Sequence, residues 1–414
     1  MNYFSCVLLI LLNMVLLFKR NSAFQFNFLK LSALAIAIFY TLPSFLITFY
    51  GYNNIWFDYE QKILSYQNFL ICAFIIVVII TNSLIKPKPL RNLNFQIDNS
   101  LVRSYAFSLC GVGMITKLYL LSSGMYNLED NFNPDNTSRV IQFLRNIDLW
   151  GFFILSALVP KWIKHKRKRI YTMFYFMYFL FLVTFSIVQG RRTGALLPFI
   201  IFAFSYHQTK GINFKYFFFF SISSIALLFG TTIRRLKEAG ISIDFQAFQL
   251  GIDAILSRIF NPYVLLNKII VNGAVNDFHS FKLLFIGFVP SFFFSNKPNL
   301  SIGNELGREL GLINNNNLNT GINPGWIGEG YYNHSLLGVI LSGFLFGILG
   351  LFIAKKIYLL YDSAMIIAFF LIIFIFSGLQ MELAASANNF IKGILFLLIP
   401  LFGLSKISDS NFKI

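Results

Sequence analysis

Apolar residues recur along the chain in long runs divided by short polar interruptions that are mostly basic. The runs fall at 2–18, 31–50, 63–85, 104–122, 147–162, 170–188, 194–208, 216–233, 332–354, 363–380 and 389–404. Each is long enough to cross a bilayer as a helix, or nearly so. The pattern predicts an all-α polytopic membrane protein with about 11 transmembrane helices, within a range of 10–12. The first run carries its charges, Lys19 and Arg20, after the apolar stretch and not before it. A secretory signal has the opposite order, so this run reads as a retained helix with an external N-terminus.

Loop charge sets the orientation. With Lys161 and Lys392, which lie near run ends, counted to the adjoining loops, the segments after the odd-numbered runs hold 19 Lys and Arg residues, whereas the short loops on the other side hold six. Cytoplasmic loops collect positive charge, so the N-terminus is expected in the periplasm and the C-terminus in the cytoplasm of a bacterial inner membrane. The basic tract from Lys161 to Arg169 reads as a topology anchor on an anionic leaflet.

The interval 234–331 contains no confident span yet keeps many aromatic and branched residues. Phe245, Phe248, Ile252, Ile255, Leu256 and Ile259 recur at helical spacing, which predicts an amphipathic helix over 244–272 lying on the membrane surface. A shorter apolar run at 278–294, broken by Pro290, is expected to be re-entrant or interfacial. A polar stretch rich in Gly and Asn follows. Three parts result: an eight-helix membrane part over 1–233, a large partly helical periplasmic loop over 234–331, and a three-helix membrane part over 332–414.

Composition narrows the function. The chain is 56% hydrophobic with a mean hydropathy of +0.66, and only 12% of it is charged, about half the share of a soluble domain. Soluble enzymes, disordered scaffolds and secreted disulfide modules are thereby excluded. A net charge of +17 raises nucleic acid as a partner, but no basic face on a soluble domain is present and that reading is set aside. Cys6, Cys72 and Cys110 all fall in apolar runs, which implies buried small hydrophobes and neither disulfide nor zinc. Asp58 and Glu60 read as a solvated loop pair, and no metal site is expected. Without a phosphate-binding Gly-rich Lys loop, ATP is not expected to drive the protein directly.

Charges close to membrane depth are the candidate chemistry. Gln189-Gly190-Arg191-Arg192-Thr193-Gly194 joins two runs with almost no loop, and Arg234 and Arg235 close the eighth run on the same side. Guanidinium groups suit a pyrophosphate, held in a fork; helix-end snorkelling is the competing reading. Glu329 and His334 lie beside the start of the run at 332–354, where either can accept a proton or merely serve the helix end. Gly338, Gly343, Gly347 and Gly350 indicate close helix packing.

The motif at 189–194, Pro290 with Asn296-Lys297-Pro298, and Gly328-Glu329-Gly330-Tyr331-Tyr332-Asn333 ahead of a Gly-rich helix occur in an order that resembles the bacterial oligosaccharide repeat-unit polymerases (Wzy type) of O-antigen and capsule synthesis. The resemblance implies a GT-C-like membrane fold and glycosyl transfer at the periplasmic leaflet. The donor would be an oligosaccharide on undecaprenyl pyrophosphate, with no cofactor and with a chain-length regulator as a possible partner. It implies that Arg191, Arg192, Arg234 or Arg235 neutralises the departing pyrophosphate. Glu329 is then the first choice and His334 the second for the base, and Trp326, Tyr331 and Tyr332 stack on sugars. Two alternatives stay open: an O-antigen ligase, whose loss leaves free lipid-linked polymer, and a flippase for the same lipid-linked unit, which calls for functional charges at mid-bilayer.

Overall fold

A computed structural model describes residues 1–18, 28–52, 59–84, 100–123, 141, 144, 147–163, 168–188, 198, 199, 201, 202, 245–273, 279–287, 302–312, 322–352, 375, 379, 382, 383, 386, 391–401, 403 and 404. In chain order the helices are α1 (Asn2–Phe18), α2 (Phe28–Tyr50), α3 (Gln61–Leu84), α4 (Ser100–Ser122), α5 (Asp148–Ile163) and α6 (Arg169–Val188). They continue with α7 (Phe245–Val271), α8 (His279–Gly287), α9 (Gly303–Glu309), α10 (Gly325–Phe352) and α11 (Ile391–Leu401). Among the described residues there is no strand. Five helices, α2, α3, α4, α6 and α10, are long and apolar enough to cross a membrane. The described residues are therefore all-α, and the apolar helices give the protein a membrane-embedded character. The expected runs at 194–208, 216–233 and 363–380 lie wholly or mostly outside the described residues.

The chain divides into two compact units, each built from separated stretches of sequence. The first comprises residues 1–92, 253–359 and 370–391, and the second comprises 93–252, 360–369 and 392–414.

In the first unit α1 and α3 run parallel. Asn2 Nδ2 donates to the Gln61 carbonyl at 3.1 Å, Ser65 Oγ to Asn2 Oδ1 at 2.6 Å, and Asn68 Nδ2 to Ser5 Oγ at 3.2 Å. Helix α2 returns antiparallel to α1, with Tyr3 against Phe49 at one end and Asn13 donating to Thr41 Oγ1 at 3.3 Å further along. Its ladder widens to π geometry over Ala37–Thr41, just before Pro43. Proline lacks an N–H and crowds the preceding turn, and the wider turn accommodates that. The helix ends at Gly51, whose φ of 62° supplies the left-handed residue that closes a helix while its N–H bonds the Ile47 carbonyl at 3.2 Å.

The arm of α10 after residue 335 runs parallel to α3: Gly343 packs on Phe74, Phe74 meets Phe346, and Gly347 packs on Thr81. The glycine stripe makes this approach close. A Cβ added at Gly343 would lie 3.2 Å from the Phe74 carbonyl oxygen, and one at Gly350 would collide with the Phe28 ring.

The amphipathic reading of 244–272 corresponds to α7, a 27-residue helix. Polar side chains weld it to α3. Gln67 Nε2 donates to the Tyr263 carbonyl at 2.6 Å, Asn267 Nδ2 donates to Gln67 Oε1 at 2.8 Å, and the Tyr263 hydroxyl donates to Asn68 Oδ1 at 3.0 Å. Burial pushes the Tyr263 phenol far above its ordinary value, so it remains a donor. The apolar run at 278–294 yields the nine-residue α8.

In the second unit α4, α5 and α6 form an up-down-up set. A Cβ on Gly151 would lie 2.6 Å from the Ala106 carbonyl oxygen, so α4 and α5 touch backbone to backbone. Tyr175 stacks on Phe152 with ring centroids 5.2 Å apart and shares a hydrogen bond with Ser156 at 3.0 Å. Arg103 lies 5.1 Å over the Tyr171 ring.

Candidate functional site

Helix α10 is two helices. Ser335 has φ 49° and ψ −133°, a left-handed conformation that side chains rarely adopt, and the chain folds back at 334–335. Residues eight apart in one straight helix are separated by about 12 Å. Here a Cβ on Gly338 would collide with the Gly330 carbonyl, and one on Gly330 would sit 2.5 Å from Ser342 Oγ. Trp326 meets Phe346 edge to face at 5.4 Å. The segment 325–333 is thus a short half-helix running back along the first part of 336–352. Its entry is Gly325, with a φ of 66°, wedged between the Leu379 carbonyl and the Tyr40 hydroxyl, the latter 2.8 Å from the position of an added Cβ. Tyr40 donates to that same carbonyl at 3.2 Å. Only glycine combines this φ with so close a neighbour.

Every residue from Gly325 to Asn333 is buried. Glu329 is 0% exposed, and its Oε2 accepts the Leu383 N–H at 2.5 Å. Asn333 ties the half-helix to α8 by accepting the Ser280 N–H at 2.9 Å and donating to Ser280 Oγ at 2.5 Å. It also donates to the Glu329 carbonyl at 2.7 Å. Glu382 is the second carboxylate here, 3% exposed, and it accepts the Gly303 N–H at the start of α9 at 2.7 Å. It is non-helical, between helical Leu379 and Leu383, so the backbone that meets Glu329 comes from an interruption. Interrupted helices offer amide groups that an unbroken ladder would consume.

The second unit holds a different cluster. Lys117 of α4 pairs with Asp148 at the start of α5, and the Tyr178 hydroxyl of α6 donates to the same Asp148 Oδ2 at 2.5 Å. Asp148 is 0% exposed and Lys117 6%. Lys117 also lies 5.8 Å over the Phe185 ring. Gly113 admits the pair, since a Cβ there would lie 2.6 Å from the Asp148 carboxyl carbon.

Of the residues singled out in the sequence, Glu329 lies inside the half-helix, whereas His334 is exposed at the reversal. Trp326 and Tyr332 are each 1% exposed, so in this arrangement they leave no surface for a sugar. Tyr331, at 8%, lies beside Tyr66, which is 40% exposed. Arg191, Arg192, Arg234 and Arg235 fall outside the described residues. The helix also begins seven residues before the expected 332, because Gly325, Gly328, Glu329, Gly330 and Asn333 depress the local hydropathy of a segment that is nonetheless buried. Lys117, Asp148, Glu382 and Ser280 carried no motif. The signal available for the first two was a lysine inside an apolar run followed by an aspartate at the head of the next. Cys6, Cys72 and Cys110 are unbridged and buried. Among the described residues no three His, Cys, Asp or Glu side chains gather as a metal site.

No protein-family model, no curated protein and no solved structure matches this chain.

Proposed function

We propose that the protein is a membrane glycosyltransferase, a polymerase of surface polysaccharide, that joins oligosaccharide repeat units carried on undecaprenyl pyrophosphate at the outer face of the inner membrane. The observation that carries this reading is the reversal at 334–335. It holds His334 exposed at the tip of a glycine-packed hairpin whose remaining half-helix is buried. Exposure favours His334 over the enclosed Glu329 as the base. His334 takes the proton of an acceptor hydroxyl as that oxygen bonds the anomeric carbon of the donor. The bond from that carbon to the pyrophosphate oxygen breaks, and its electron pair leaves with the lipid. Arg191, Arg192, Arg234 and Arg235 supply the positive charge that the leaving group requires. Tyr331 with Tyr66 is the aromatic surface for the sugar.

The test is a gel of surface glycan from cells carrying Arg191→Ala, Arg192→Ala or His334→Ala, each shown to be made and inserted. The expected product is a single repeat unit. Full-length ladders from the arginine variants would overturn the reading.

One observation favours a second reading, a flippase for the same lipid-linked unit: the half-helix at 325–333, the interruption at Glu382 and the buried acids between them are features that membrane transporters use. In that case deletion strands the lipid-linked unit on the cytoplasmic leaflet, where a periplasmic lectin cannot reach it.

A further inference from the structure

We infer that the end of the second unit where α4 and α6 begin is a binding site for an anionic phospholipid, with Arg103, Lys168 and Arg169 on its phosphate and an exposed face of α6 along its acyl chain. The proposed glycosyl transfer uses none of these residues.

A topology anchor needs only net charge, since cations spread along a loop attract any anionic surface. A site needs cations held together, and here helices hold them. Arg103 stands in the first turn of α4, and its guanidinium lies 5.1 Å over the ring of Tyr171, in the first turn of α6. Lys168 is one turn before Tyr171 on the same face, and the Thr172 hydroxyl donates to the Lys168 carbonyl at 3.3 Å, as in a continuing helix. Phe107, one turn beyond Arg103, meets Tyr171 at 6.0 Å and Phe174 at 6.3 Å. Buried Trp162, near the end of α5, packs on both Phe107 and Tyr171. Arginine meets a ring through the face of its guanidinium and a phosphate through its N–H edge, so one group can do both.

Charge complementarity sets the sign of the partner. Residues 85–103 and 161–169 together contain ten Lys and Arg residues and a single acid, Asp98. These segments do not balance their own charge, and an anion from outside them does.

An apolar face begins beside the cations. Ile170, Met173, Phe174 and Met177 follow at helical spacing, each half or more exposed. Arg169, also exposed, precedes Met173 by four residues and so heads the same stripe. Free phosphate would use the cations alone, whereas a phospholipid uses both, its phosphate at the helix starts and its chain along the stripe. A zwitterionic headgroup brings a cation of its own against these three and loses the advantage.

The test uses the full-length protein in detergent, titrated with phosphatidylglycerol or phosphatidylcholine and followed by native mass spectrometry. Phosphatidylglycerol is expected to bind about ten-fold more tightly, and Arg103→Gln with Arg169→Gln to weaken it about twenty-fold. Lys355→Gln with Lys356→Gln removes the same charge from another stretch of the sequence and is expected to leave it unchanged. Phosphatidylglycerol with a diazirine on its acyl chain is expected to label the wild-type peptide that holds residues 170–177. Equal affinity for the two lipids, equal effects of the two double variants, or no label in 170–177 would overturn the inference. Displacement by inorganic phosphate would also overturn it, leaving a site for phosphate alone, as would tighter binding of undecaprenyl phosphate, which would give the site to a carrier lipid. If the double variant at 103 and 169 does not fold, the comparison of lipids and the labelling of the wild type decide. No readout depends on glycan synthesis, so this inference and the proposed activity fail separately.

Discussion

In the second unit Lys117 and Asp148 bury opposite charges against each other, with Tyr178 completing the set. In the first, the two acidic side chains Glu329 and Glu382 are buried and each accepts a backbone N–H, from Leu383 and from Gly303. The paired cluster sits on three regular helices drawn together by Gly113 and Gly151. The acidic one sits where the chain reverses and where Glu382 interrupts helical residues. A matched pair on regular helices is a fixed feature of a scaffold. A buried carboxyl with no counter-ion among the described residues, held where the chain reverses, is a different kind of feature. The contrast can be broken experimentally.

The largest effect is expected from splitting the ion pair. Asp148→Ala removes the carboxylate that faces the buried Lys117 ammonium, at a cost of about 3–5 kcal/mol, read as a fall in the thermal unfolding midpoint in detergent. The double variant Lys117→Met with Asp148→Asn removes both charges, keeps an acceptor for Tyr178, and is expected to recover most of the loss. A double variant as unstable as the single one would show that the cluster is more than a matched pair. Glu329→Gln supplies the comparison, since it removes one of two buried acidic groups while keeping the shape of the side chain, and it is expected to fold.

Next comes Gly338→Val. Its Cβ would collide with the Gly330 carbonyl and force the two arms of the hairpin apart. Overpacking of this kind costs about 1–3 kcal/mol or more. Gly111→Ala is the control, with nothing within 4 Å of the added methyl. Equal effects from the two substitutions would mean that the close approach of the arms carries no energy.

How much of this was legible in the chain follows from what hydropathy measures. It counts apolar side chains along a window, so α1 to α6, with long uniform runs, lie close to the expected limits. The amphipathic α7 was equally plain from its spacing. The segment 325–333 resembles a polar loop because four of its nine residues are Gly or Glu. What buries it is the absence of side chains at Gly330 and Gly338, a property of packing that no window registers. Glu329 was legible as a candidate from its Gly-Glu-Gly setting, but its enclosure was not, since Leu383 and Glu382 lie more than fifty positions away. Lys117 was passed over for the reverse reason: one cation does not spoil a 23-residue apolar run, and its partner begins a different helix.

A smaller effect is expected from Tyr178→Phe. A hydrogen bond to a charged group contributes about 1.5–3 kcal/mol, so this variant should lose less than Asp148→Ala. Tyr40→Phe removes a neutral bond to the Leu379 carbonyl and is expected to cost about 0.5–1.5 kcal/mol. The order Tyr178 above Tyr40, measured by unfolding midpoints, sharpens the contrast between a charged cluster and a merely polar contact. The reverse order would indicate that the contact of Tyr40 with the entry of the half-helix is the more tightly held of the two.

The smallest effect concerns the turn itself. Ser335 holds φ 49° with ψ −133°, the conformation that type II′ turns reserve for glycine. Such strain costs about 1–3 kcal/mol per residue. Ser335→Gly relieves it in the folded protein but also frees the unfolded chain, so the net gain is expected to be about 1 kcal/mol or less. A small rise in the unfolding midpoint, together with unchanged spectra, would show that the reversal is imposed by the Gly330–Gly338 contact and merely tolerated by the serine. A fall would show instead that the Ser335 side chain itself holds the turn. That would make the hairpin a product of its tip, and Gly338→Val should then disturb it less than the packing alone predicts.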